Sequence, residues 1–123
     1  MTQSFDDTAL RNISDIIADI LTHGKITDQL ASAGISQVGG SNKTDRVFCA
    51  LKERQKQDGC GNNILAFLLQ IINPKRYNDE AAFEKDRGRI NEKLLYEGIE
   101  ITVRGEPRQV DKAKTIQEAK KRS

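Results

Sequence analysis

Asp58, Gly59, Cys60, Gly61, Asn62 and Asn63 are the densest group of chemically capable residues in the sequence. A thiol, a carboxylate and two amides are spaced by glycines, and three kinds of chemistry come into question. As a nucleophile, Cys60 needs a base beside it or a helix N-terminus that stabilises the thiolate. It does precede a helical run beginning at Ile64, but the sole histidine, His23, belongs to an earlier helix. As a metal site, Cys49, Cys60 and one histidine fall short of a tetrahedral ligand set. As a phosphate loop, "GCGNN" lacks the lysine expected at the helix start. A structural reading satisfies more of these residues. Gly59 ends one helix, Gly61 permits an otherwise strained turn, and Asn62 or Asn63 accepts from the free amides of the next helix. No catalytic residue, metal or cofactor is therefore expected, with cysteine-based activity at Cys60 as the weaker alternative.

The elements around this knot follow from hydrophobic spacing. Leu10, Ile13, Ile16, Ile17, Ile20 and Leu21 recur at helical intervals and predict a helix over 6–22. Ser4 and Asp7 resemble its capping box, and Gly24 is placed to stop it. Thr27 is expected to cap a second helix ending at Gly34, followed by a seven-residue loop, "QVGGSNK". A third helix, capped by Thr44, turns Val47, Phe48, Ala50 and Leu51 inward and ends near Gln57. The fourth, up to Ile72, is apolar at almost every position, which predicts burial on nearly all sides. Asn73-Pro74 stops it, because a residue before proline is pushed away from helical angles. "KRYND" then connects to a fifth helix, capped by Asn78 and ended by Gly98. Ile99, Ile101 and Val103 alternate with polar residues and predict a strand with one buried face. "RGEP" turns the chain toward a second strand from Pro107 to Val110. From Thr115 a last helix begins, with Glu118 at a capping-box position and only Ile116 and Ala119 as apolar residues.

The fold class expected is mainly α: a compact domain of five to six helices over 1–114, with a small β-hairpin at about 99–110. Residues 115–123 form a helical tail, expected to lead to a missing C-terminal domain. Hydrophobic residues make up 37% and charged residues 31% of the 123, a balance suited to one packed domain. The apolar run at Ile64–Ile72 is far short of the ~20 residues that span a bilayer. "MTQSFDDTAL" has no secretory pattern. A cytoplasmic protein with reduced thiols and no membrane partner is expected. Net charge is +2, with an acidic first helix (Asp6, Asp7, Asp15, Asp19) and a basic carboxyl end.

"RQKQDGCGNNILAFLLQIINPKRY", "RINEKLLYEGIEI" and "AKTIQEA" together resemble the N-terminal module of the Ymh-type family of bacterial proteins, across nearly all of residues 8–119. The D-G-C-G-N-N run, with N-P-x-R-Y ending at Tyr77 downstream, is the most specific part of the resemblance. Pro74 and Tyr77 thus join Asp58–Asn63 in one structural motif. In that family a HEPN-type domain follows the module, in abortive-infection and other phage-defence settings. The resemblance implies a regulatory or sensing module in front of an effector, and it transfers no activity. HEPN ribonucleases use an arginine and a histidine a few residues apart on one helix, whereas His23 has no arginine closer than Arg11.

Two functional expectations follow. The first is a non-enzymatic recognition module binding a partner protein or effector domain, with the hairpin edge as one route and a homo-oligomer as another. The second is nucleic-acid binding by a helix-turn-helix-like module with the hairpin as wing. Lys43, Arg46, Lys52, Arg54 and Lys56 would meet phosphates, joined by Lys75, Arg76, Arg104 and Arg108. The long loop before helix three and the interleaved acids Asp45, Glu53 and Asp58 weigh against it.

Overall fold

In the computed structural model residues 2–122 are described, Arg122 by its backbone only. The chain is mainly helical, with six α-helices and one two-stranded antiparallel hairpin among the described residues. It sorts into two compact units, Met1–Gln70 and Ile71–Ser123.

In the first unit, α1 (Asp7–Ile20) packs along α3 (Lys43–Asp58), with α2 (His23–Ser32) also against α3. The stripe Leu10, Ile13, Ile17 and Leu21 is fully buried, as its spacing requires. α1 is capped by Asp6, which accepts from Ala9 N–H, so Ser4 and Asp7 do not form the expected box. Gly24 does not stop α1; it lies in the first turn of α2. The break is made by Leu21 and Thr22, both extended, with Thr22 Oγ1 accepting from Lys25 N–H in the role expected of Thr27. Gly34 ends α2 as expected, at φ +70°. Ile35 N–H bonds Leu30 C=O and Gly34 N–H bonds Ala31 C=O, a Schellman closure that leaves Leu30 and Ile35 buried together.

The connection to α3 spans 33–42, longer than the expected loop and unlike a tight helix-turn-helix turn. Asn42, not Thr44, caps α3 by accepting from Asp45 N–H, and Gly59 closes it at φ +69°. α4 (Asn62–Ile71) is less enclosed than its composition suggests. Ile64, Phe67, Leu68 and Ile71 are wholly buried, but Ala66 is exposed and Leu65 and Leu69 are half-buried. The uniform apolar run conceals an ordinary i, i+3, i+4, i+7 face.

In the second unit, Asn73 is extended and caps a 3-10 turn at Pro74–Arg76. Asp79, rather than Asn78, then caps α5 (Glu80–Leu94) by accepting from Ala81 N–H. A 3-10 turn at Leu95–Glu97 and the left-handed Gly98 lead into the hairpin. Its strands, β1 (Ile99–Ile101) and β2 (Pro107–Gln109), pair Ile99 with Gln109, Glu100 with Arg108 and Ile101 with Pro107. The buried Asn91 of α5 completes β1's outer edge: its amide accepts from Ile101 N–H and donates to Ile101 C=O. β1 ends one residue pair earlier than the alternation predicts. The Thr102 C=O takes Gly105 N–H in a turn, and Val103 leaves the sheet face at 61% exposure. α6 (Ile116–Arg122) belongs to this unit, with Ala119 buried in a cluster with Leu95 and Ala113. Thr115 Oγ1 accepts from Glu118 N–H while the Glu118 carboxylate reaches back to Lys114 N–H, a capping box shifted by one residue at its return bond. Ile116 remains 67% exposed.

Candidate functional site

The knot at residues 58–63 is built into the first unit by the chain's own beginning. Thr2 N–H donates to Asn62 Oδ1 at 2.7 Å, and Gly61 N–H donates to Thr2 C=O at 2.9 Å. Gln55 then grips Phe5 with both ends of its amide, accepting from Phe5 N–H and donating to Phe5 C=O, each at 2.8 Å. Phe5 is buried beneath this strap. A Cβ on Gly61 would stand 2.5 Å from Gln3 O and 3.0 Å from the Phe5 ring, so glycine is required for close approach.

The asparagines therefore work differently from the expected caps. Asn62 holds the strap, and Asn63 Nδ2 donates to Asp58 Oδ2 at 2.6 Å. Asn63 foremost, and Arg54 after it, hold the Asp58 carboxyl below the usual carboxylate range. Cys60 is a free, half-buried thiol, as is Cys49. His23 Nδ1 faces Arg46 at 2.8 Å; the guanidinium can only donate, so this nitrogen accepts. The strap over the knot has one cue in sequence, Phe5 as the lone aromatic ahead of the first helix.

The nine basic candidates divide between the units, and most hold the fold together. Lys43 Nζ donates to Leu21 C=O at the carboxyl end of α1. Arg46 donates to His23 C=O, Thr27 Oγ1 and Gln37 Oε1, tying α2 and the following loop to α3. Lys52 pairs with Asp7 of α1, and Arg54 bridges Asp58 and Gly34 C=O. In the second unit Arg76 Nε donates to Ile71 C=O, closing α4, and Arg108 pairs across the hairpin with Glu100. Lys56, Lys75 and Arg104 are exposed.

The second unit also contains an open groove of about 610 Å³ at the head of α5. Pro74, Tyr77, Phe83 and Val103 supply its apolar lining, and Asp79, Glu80 and Glu84 its charge. The hairpin turn is brought here by Gly105, where a Cβ would come 2.9 Å from Pro74 Cδ. Tyr77 is fixed from behind. Its hydroxyl donates to Asp86 Oδ2 at 2.7 Å, its ring meets Phe83 edge-on at 5.4 Å, and Arg76 lies 5.1 Å over it. Burial first, and the Asp86 carboxylate next, push Tyr77 up to about 12. Arg87 bonds both Glu84 oxygens and holds that carboxyl below its ordinary range, so it stays ionised at neutral pH. Pro74 and Tyr77 thus join this groove, separate in the sequence from the knot at 58–63. Val103 gave no signal of its place here, because the alternating pattern assigns it to a buried face.

Among the described residues no three His, Cys, Asp or Glu side chains gather to hold a metal ion, and no helix is long and apolar enough to cross a membrane. Compared with known proteins, the chain matches no family model, no curated protein and no solved structure.

Proposed function

We propose that this chain is a non-enzymatic recognition module of a bacterial or phage-related defence protein, regulating an effector by binding a partner protein or an effector domain. The observation that carries this reading is the groove at the head of α5, where a well-anchored Tyr77 and an exposed Val103 give an apolar surface in a lining that also holds acidic side chains. Such a surface suits a peptide segment and repels phosphate. The resemblance to the Ymh-type module adds the expectation of an effector under its control. Binding by strand addition has weaker support. β2 is three residues long and carries Pro107, which lacks the donor an incoming strand would use. Of the nine basic candidates, Lys56, Lys75 and Arg104 make no side-chain bond among the described residues, and among those residues no base is bonded to Cys60.

The test is photo-crosslinking in cells with a photoreactive residue at position 103 and, separately, at position 56. Protein adducts at position 103 are expected. Nucleic-acid adducts at position 56, with none of protein at 103, would transfer the function to the nucleic-acid reading. Adducts at neither position would overturn both.

A further inference from the structure

We propose that the groove at the head of α5 binds a partner segment in which an aliphatic side chain is flanked by lysine or arginine. This rests on the recognition reading above and names the chemistry of the partner. Pro74 and Val103 both line the groove, as does the edge-on Tyr77–Phe83 pair. That surface accepts an aliphatic group without losing any hydrogen bond, because the Tyr77 hydroxyl is already satisfied by Asp86. Every charged residue lining the groove is an acid, in a chain whose net charge is +2. The three acids are not equivalent. Asp79 is occupied as the cap of α5 and Glu84 is paired with Arg87, whereas Glu80 makes no hydrogen bond or ion pair among the described residues. Capping and the helix dipole account for an acid at position 80. They do not account for Val103, which lines the same groove and stands 61% exposed. An apolar contact with a cation next to it satisfies both. An acidic or phosphorylated partner would meet like charge, and a wholly apolar one would strip water from Glu80 without compensation.

The experiment selects binders of the 123-residue chain from a displayed library of random peptides, then measures their affinity by calorimetry at low and high salt. The expected winners share an aliphatic residue next to lysine or arginine. Val103→Asp and Glu80→Lys alter side chains exposed in the free chain, and unchanged circular dichroism and melting temperature verify that both variants fold. Each is expected to weaken binding by about tenfold or more, with Glu80→Lys also removing the salt dependence. Winners rich in acids, or winners indifferent to both variants, overturn the assignment while leaving recognition at another surface intact. A library without binders overturns it as well, and the crosslink at position 103 then decides separately whether the recognition reading survives. The same chain exposes Ile116 beside Lys114. Self-association abolished by Ile116→Ser and by Val103→Asp would hand the groove to a second copy and also overturn the proposal.

Discussion

Gly61 and Gly24 look alike in the sequence and differ in what surrounds them. At Gly61 an added methyl group meets Gln3 O at 2.5 Å, a backbone atom held in place by the Thr2 and Phe5 bonds on either side. Gly61→Ala should therefore destabilise the protein by roughly 1–3 kcal/mol, the usual cost of overpacking, read from denaturant unfolding. At Gly24, in the first turn of α2, nothing lies within 4 Å. Gly24→Ala should stabilise by roughly 0.4–1 kcal/mol, because alanine restricts the unfolded chain. An unchanged midpoint for Gly61→Ala would mean that the strap does not lie over the knot. Tyr77 carries a pH signature. Its folded pKa, about 12, lies above its ordinary value of 10.0, so its stabilising contribution is complete below pH 10 and is lost as pH rises through 12. The fall in melting temperature across that window should be shallower in Tyr77→Phe, and the absorbance rise of ionising tyrosinate should show one late component that this variant lacks.

At the scale of elements, existence was easier to read than boundaries. The Ile and Leu stripe of α1 leaves only one face that can be buried, so the helix follows from its spacing. Its cap does not, because Ser4, Asp6 and Asp7 all offer an oxygen near the start, and Asp6 takes the role in the structure. The same ambiguity separates Thr22 from Thr27, Asn42 from Thr44 and Asp79 from Asn78. α4 shows the opposite limit: when nearly every side chain is apolar, no contrast marks the open side at Ala66. Of the candidate groove, Pro74 and Tyr77 were legible as a motif. Val103 was not, because the alternating pattern places it on a strand that ends before reaching it. The strand ends at the Thr102–Gly105 turn, and the Asn91 amide imitates a neighbouring strand for Ile101. Asn91→Ala leaves Ile101 N–H buried without its partner, at a cost of ~1–3 kcal/mol. Amide exchange at Ile101 should accelerate accordingly; equal protection in the variant would show that the hairpin is anchored elsewhere.

For the molecule as a whole, a charge count is a poor guide to where cations are available. Twenty lysines and arginines stand against eighteen acids, yet several of the basic residues most suggestive of a phosphate-binding face are hydrogen-bonded to backbone carbonyls and neighbouring helices. Arg46 is the clearest case, with bonds to His23, Thr27 and Gln37. Arg46→Ala should lower stability by on the order of 1 kcal/mol and leave retention on duplex DNA or RNA unchanged across a salt series. A loss of retention proportional to salt, without a loss of stability, would restore the nucleic-acid reading. The strap sets an order of events for the newborn chain. Residues 2–5 leave the ribosome well ahead of their partners Gln55 and Asn62, which follow 50 to 60 positions behind. At ~5–20 residues per second, the leading segment with its phenylalanine waits in water for roughly 3–12 s before its seat exists. This segment can settle only after the stretch that seats it has been made.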